Sequence, residues 1–357
     1  MSDPLFGSLY VDVPQTGVAV RRIQNDKKFV AARMIPKLVV LKPSGLYPTI
    51  VSGDLNRDEM EARSPSAPAQ KAGWRRVMKR FETDARSLRY DLNDADAAGA
   101  DVETNPDILI PRILGYKALL HMERRMVGKF FAAGVWERNI TGGGADAALD
   151  TNAVTRLYMD NAAADPIEAF TDEIRRLCLR AGCDPMELGL TLGNKLWHKI
   201  RNHAKVKSQI VGLAGGAIGN AVIAMARQAE APELARLLGI RDVLVGTAIH
   251  NTKALALDVA DVPTNAAIVP EEDALLYVNP YTGDEGASPL MSLDNEQPAA
   301  FCRPVWNGVA SGEGVQIRRV RDEHAGPGGS WSHVIDVYNG FEVVSAEAAV
   351  RFTDMLT

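Results

Sequence analysis

One long amphipathic helix constrains this chain more than any other feature of its sequence. Asn105-Pro106-Asp107 supplies a side-chain acceptor for an N-cap, a proline for the first turn and a carboxylate for the positive helix end. Leu109, Ile113, Tyr116, Leu120, Val127 and Phe131 then recur at spacings of three, four or seven. They draw one apolar stripe beside a face bearing Glu123, Arg124, Arg125 and Lys129. Pro111 either kinks this helix or is its true first residue. Even the shorter version, from Pro111 to about Ala133, spans roughly 35 Å at ~1.5 Å per residue, a beam as long as a small domain is wide. The chain of 357 residues has room for about two folding units, each with its own core.

Composition narrows the class further. Hydrophobic residues at 46 % and charged residues at 24 % are globular proportions, neither disordered nor collagenous nor membrane-spanning. Forty basic against 45 acidic residues leave a net charge of −5, so sequence-specific DNA binding is not the leading idea. Cys178, Cys183 and Cys302 are too few, and odd in number, for a disulfide framework, which points to a reducing compartment such as the cytoplasm. Asp3 and Pro4 stand where a signal peptide needs positive charge, and glycines interrupt the most apolar stretch, 210–226; neither export nor a membrane span is expected.

Residues 1–42 read as an extended arm. The stretch 43–92 reads as a two-stranded excursion, with a return strand over Trp74 to Leu92 and a charged tip at 53–73. Such a ribbon is marginal alone in water and must lie on something else. Residues 134–164, with Gly142-Gly143-Gly144, are expected to be loops around short pieces of structure. A second helix opens at Asp165-Pro166, with Glu168 in the capping-box position, and closes at Gly182. Beyond Pro185 come short alternating units: strands at 188–192, 243–245 and 274–278, and helices at 194–202 and 232–238. Two strands flank Ala325-Gly326-Pro327-Gly328-Gly329 as a hairpin, and the tail reads as a strand leading into a short terminal helix.

No motif for catalysis emerges. Ala214-Gly215-Gly216-Ala217-Ile218-Gly219 lacks the first glycine of a dinucleotide fingerprint, and no P-loop is present. His198 and His203 would sit about 140° apart on a helix, too far to share a metal. His324 and His333 flank the mouth of the hairpin near Asp322 and Glu323 but lack a visible third ligand. Gly308-Val309-Ala310-Ser311-Gly312 is one residue off a nucleophile elbow. No catalytic, cofactor-binding or metal residue is assigned. Charge is more telling. Arg75, Arg76, Lys79, Arg80, Arg86 and Arg89 decorate one arm of the excursion, while Asp54, Asp58, Glu59 and Glu61 lie near its other arm and tip. A ribbon charged oppositely on its two arms suits docking on neighbouring copies of the same chain, against the alternatives of a solvated hairpin or a nucleic-acid strip.

The order of parts is an extended arm, a long charged hairpin, a long helix ending in Lys129-Phe130-Phe131-Ala132-Ala133-Gly134-Val135-Trp136, then the Asp165-Pro166 helix. In this it resembles the major capsid proteins of tailed double-stranded DNA phages. The resemblance runs on through Leu190-Thr191-Leu192-Gly193, Leu196-Trp197-His198, Val243-Leu244-Val245-Gly246 and the 314–339 hairpin, and covers nearly the whole chain. Each motif is degenerate alone; the order and spacing carry the likeness.

The resemblance implies an α+β fold in four parts: an N-terminal arm (1–42), an extended loop (43–95), a peripheral domain on a spine helix (96–187 with 308–340), and a mixed α/β axial domain (188–307 with 341–357). It implies a non-enzymatic structural protein that assembles into hexamers and pentamers of an icosahedral shell around packaged double-stranded DNA, built in the host bacterial cytoplasm and ending in the virion. Head-to-tail contacts between unlike patches close such rings. Expected partners are other copies, a portal protein, a separate scaffolding protein, possible decoration proteins, and DNA touched non-specifically; no covalent crosslink is expected. Expected contact residues are Arg21, Arg22, Asp58, Glu59, Glu61, Arg63, Arg75, Arg76, Lys79, Arg80, Arg124 and Arg125. An encapsulin-like compartment and a two-domain enzyme are the alternatives.

Overall fold

A computed structural model describes residues 15, 16, 19, 28–50, 58–60, 71, 73, 76–93, 106–145, 153–213, 230–252, 265–279, 299–307, 314–322 and 329–357. A short helix, α1 (Ala31–Met34), leads to β1 (Lys37–Val40), a ribbon of β2 (Ser44–Ile50) and β3 (Arg76–Glu82), the strand β4 (Asp84–Asn93) and the long helix α2 (Pro106–Phe130). Next come β5 (Arg138–Gly143), β6 (Ala153–Leu157), α3 (Pro166–Ala181), β7 (Leu188–Gly193), α4 (Asn194–Asn202) and α5 (Ala204–Leu213). Then follow α6 (Ala231–Leu238), β8 (Asp242–Gly246), β9 (Ile249–Asn251), β10 (Asn265–Ala267), β11 (Ala274–Val278) and β12 (Phe301–Trp306). The hairpin β13 (Val315–Asp322) and β14 (Ser330–Asn339), then β15 (Glu342–Val343) and β16 (Ala349–Thr353), complete the described strands.

One mixed sheet runs β6-β5-β16-β11-β7-β8. Its two central strands β7 and β11 are buried at every position, which is why they read as unbroken apolar runs rather than alternating ones. Gly189 faces Tyr277 across this pair, and a Cβ there would lie 2.7 Å from the tyrosine ring, so only glycine lets the ring lie flat on the strand. A second sheet sets β14 between β13 and β4; the far end of β14 meets β12, which also pairs with β1 and β15.

Helix α2 threads two cores. Ile110, Leu114, Ala118 and Leu119 pack with Val315, Ile317, Ile335 and Val337 of the hairpin. Met122, Met126 and Phe130 enter the larger core with Phe301, Phe341 and Trp136. At ~25 cal/mol per Å² of apolar surface buried, this double burial is what holds so long a helix in place. Its buried face centres on Ile110, Leu114, Ala118, Met122, Met126 and Phe130; of the expected stripe Phe131 is buried and Tyr116, Leu120 and Val127 are partly buried against the cores. Leu109 and Ile113 are exposed, and Glu123, expected on the polar face, is fully buried. Its carboxylate accepts N–H bonds from Val30 at 3.1 and 3.2 Å and from Ala31 at 2.8 Å, fastening the start of α1 to the helix. Pro111 lies inside the helix, which begins at Pro106.

Three other expectations change. The return strand of the excursion is split: β3 pairs with β2, whereas β4 joins β14 over ten residues. Thr83 ends the ribbon by donating both its backbone N–H and its Oγ1 proton to the Pro43 carbonyl, each at 2.8 Å. Within 134–164, the segments 138–143 and 153–157 are strands of the mixed sheet, so that sheet crosses the expected boundary at 187/188. The tail ends in strand β16 rather than a helix, because its backbone groups are taken by β11 on one side and β5 on the other. Helix α3 follows its capping signals: Asp165 accepts N–H bonds from Ile167 and Glu168, and Gly182 closes the helix at φ 67°.

Buried and partly buried ion pairs tie helix to sheet and strand to strand. Arg138 on β5 grips Glu173 on α3 through two bonds of 2.5 and 2.7 Å, and Arg156 on β6 reaches Asp172 at 2.9 Å. Asp336, nearly inaccessible on β14, accepts from Arg318 on β13 at 2.5 and 3.1 Å and from Ser87 on β4 at 2.5 Å.

Candidate assembly surfaces

The ribbon has two unlike faces. Register pairs Gly45 with Phe81 and Tyr47 with Lys79 on one face, and Leu46 with Arg80 on the other. Tyr47 and Phe81 are buried against Val40, Cys302 and Val344, which anchors the ribbon's base. Lys79 donates to the Val344 carbonyl at 2.7 Å, and burial holds its pKa below the ordinary lysine value. The opposite face bears Leu46, 64 % exposed, and Met78, 56 % exposed. This face of the ribbon thus presents apolar side chains to water.

A second apolar patch lies at the start of α2, where Ile108, Leu109 and Ile113 are exposed. A third surface is the cleft between β4 and α2, bordered by Arg86, Lys117 and His121.

The expected contact residues sort as follows. Arg21, Arg22, Glu61, Arg63 and Arg75 lie outside the described residues, and of Arg76 only its backbone place opposite Ile50 is described. Asp58 and Glu59 lie in the segment between β2 and β3, where Asp58 Oδ1 accepts from the Met60 N–H at 3.1 Å and Glu59 from the Gly73 N–H at 3.2 Å. Arg80 pairs with Glu82 at 3.5 Å in solvent, and Arg124 is exposed. Lys79 and Arg125 act within their own subunit. Arg125 donates to Asp84 at 2.7 Å and to Asn339 at 3.1 Å while its guanidinium lies over the Phe341 ring, seating β4 and the chain after β14 on α2. Sequence reasoning passed over Leu46, Met60 and Met78, apolar residues whose exposure only the fold reveals.

His333 lies within the hairpin register opposite Arg319 and is fully buried, its Nδ1 2.9 Å from Gln15. Its suggested companion His324 lies outside the described residues. Among the described residues no three His, Cys, Asp or Glu side chains gather as a metal site, and no helix is long and apolar enough to cross a membrane.

No protein-family model and no curated protein matches the chain. Solved structures do. The crystal structure of a phage-related protein from Bordetella bronchiseptica RB50 is 13 % identical, with 98 % of each chain covered and a TM-score of 0.65. The asymmetric unit of the bacteriophage PhiM1 mature capsid is 10 % identical, covering 90 % of this chain and 86 % of that one at a TM-score of 0.54. At such identities the likeness is one of fold: this chain has the fold of phage major capsid proteins.

Proposed function

We propose that this protein is a shell subunit, the major capsid protein of a tailed phage, which assembles into hexamers and pentamers around packaged double-stranded DNA. The observation that carries the reading is the match to the PhiM1 mature capsid over nine-tenths of the chain, in a molecule whose ribbon turns Leu46 and Met78 outward. The same reading makes the protein a structural one, with its interfaces as its working site. The arm is 1–42, the loop 43–95, the peripheral part is built on α2 with the 308–340 hairpin, and the axial part is the mixed sheet, to which 138–143 and 153–157 belong by their pairing. Portal, scaffolding and decoration proteins are its further partners, the virion its destination and the host cytoplasm its place of assembly.

Negative-stain electron microscopy with light scattering on the purified chain tests this. Shells, tubes or capsomer rings are the expected result, formed by the chain alone or on addition of a scaffolding partner or crowding salt. A species that stays at one or two copies under all these conditions contradicts it.

A further inference from the structure

The C-terminal turn of α3 brings two cysteines together. Gly182 takes the left-handed conformation that ends the helix, and two N–H groups return to one carbonyl, that of Cys178: Gly182 at 2.7 Å and Cys183 at 3.2 Å. In a turn of this kind the residue after the glycine folds back over the last helical turn, and its side chain meets one there. That contact is ordinarily apolar. Here both members carry thiols, and Cys183 Sγ lies 3.9 Å from Cys178 Sγ, as donor to it. Cys183 is buried, whereas Cys178 is partly exposed. Cys302, the third cysteine, packs in a different core with Tyr47 and Phe81.

A disulfide needs sulfurs about 2.05 Å apart, so from 3.9 Å this pair closes by roughly 2 Å, a distance that side-chain rotation covers while the backbone bond holds the turn. We propose that Cys178 and Cys183 form a redox site, a dithiol that a low-molecular-weight disulfide, RSSR, converts into an intrachain disulfide. Cys178 is the point of entry, because it is the more exposed thiol. Burial raises its pKa, as do Asp184 and Glu187 to a smaller extent, but the Cys183 S–H bond to its sulfur opposes them. The Cys178 thiolate attacks RSSR, forming a mixed disulfide with Cys178 and releasing RS⁻. Cys183 then loses its proton and attacks the Cys178 sulfur; the Cys178–Cys183 bond forms and a second RS⁻ leaves. Two thiols are oxidised, one RSSR is reduced, and the two protons end on the released thiolates as two RSH. Burial also raises the pKa of Cys183, which slows the second step, yet the reacting sulfurs are already in contact and need no diffusional meeting. The product ties the last turn of α3 to the chain that enters β7. This goes beyond the shell reading and holds whether or not the chain assembles.

The test treats native full-length protein at pH 8 with hydroxyethyl disulfide, a small neutral probe that Asp184 and Glu187 do not repel. The protein is then denatured at mildly acidic pH, its remaining thiols are blocked with N-ethylmaleimide, and the chain is cut with trypsin. Cleavage after Arg176, Arg180 and Lys195 places the two cysteines on separate peptides, 177–180 and 181–195. Mass spectrometry is expected to find these peptides joined, two hydrogens lighter than their sum, several-fold more abundant than before oxidation and lost on adding dithiothreitol. Cys302 is expected to carry maleimide throughout. Cys183→Ser is expected to stop at the mixed disulfide on Cys178. Recovery of both thiols as maleimide adducts, a mixed disulfide that persists on Cys178 in wild type, or a bond from either residue to Cys302 overturns the proposal. A Cys178→Ser chain that takes up the probe on Cys183 overturns the order of attack. The joined peptides are read from wild type, so the main result does not depend on a variant that folds.

Discussion

Glu123 shows how one buried carboxylate ties an arm to a helix and leaves a pH signature. Burial pushes its pKa up to about 7, against the opposing pull of the Ala31 and Val30 N–H bonds. In the unfolded chain a glutamate ionises near 4.3, so between roughly pH 4.3 and 7 the folded state holds a proton that the unfolded state has released. Stability from this group therefore falls as pH rises through that window and is flat above it. Urea unfolding of the subunit beside Glu123→Gln checks this: the wild type's advantage over the variant is expected to shrink by up to about 3 kcal/mol from pH 4.5 to 7.5. A pH-independent difference contradicts it. Burial likewise pushes the Cys302 thiol up to about 12, with a smaller contribution from Glu342, and raises Cys183. At pH 8 a thiol reagent is expected to leave both unlabelled in the native protein and to label them rapidly in urea. The sequence shows why Glu123 was hard to place. Leu109-Ile110, Ile113-Leu114, Leu119-Leu120, Met126-Val127 and Phe130-Phe131 are adjacent apolar pairs, so two stripes one residue apart fit the same helix. Only the hairpin and the larger core choose between them.

Elements were legible where their signals are local. Helix α3 begins and ends at Asp165 and Gly182 because its capping atoms come from the segment itself. Strands β5 and β16 were not legible as partners, since their pairing joins residues 138–141 to 350–353 and no local pattern records a partner so distant in sequence. The same limit hid the division of the ribbon at Thr83, where the β-prone run continues unbroken into a different sheet. Packing between elements makes its own prediction. Glu173→Ala takes the carboxylate away from the Arg138 guanidinium, whose side chain is only 7 % exposed, and is expected to cost about 3–5 kcal/mol of unfolding free energy. Glu82→Ala, which breaks an exposed pair with Arg80, is expected to cost no more than about 1 kcal/mol. Equal effects in denaturant titration would refute the view that α3 is clamped to the sheet by buried charge.

For the whole molecule, the order of parts in the sequence was enough to indicate the fold, although no single motif was. Which side chains the surface exposes was much less legible. Charge drew attention to Lys79 and Arg125, yet both bond within the chain, while Leu46 and Met78 are exposed on the ribbon beside Arg80, and Met60 is exposed in the segment between β2 and β3. Long cations can turn inward to a carbonyl or a carboxylate, and apolar residues can be left outside for a partner, so charge patterning alone does not mark an interface. If the exposed ribbon builds the shell, assembly and ribbon must be lost together. Mass photometry of the purified full-length chain beside a variant with residues 51–75 replaced by a short glycine-serine linker decides this. Wild type is expected as megadalton particles and the shortened chain as species near the 38.6 kDa of one subunit. Megadalton particles from both proteins, or single subunits from both even with a scaffolding partner or crowding salt present, would contradict it.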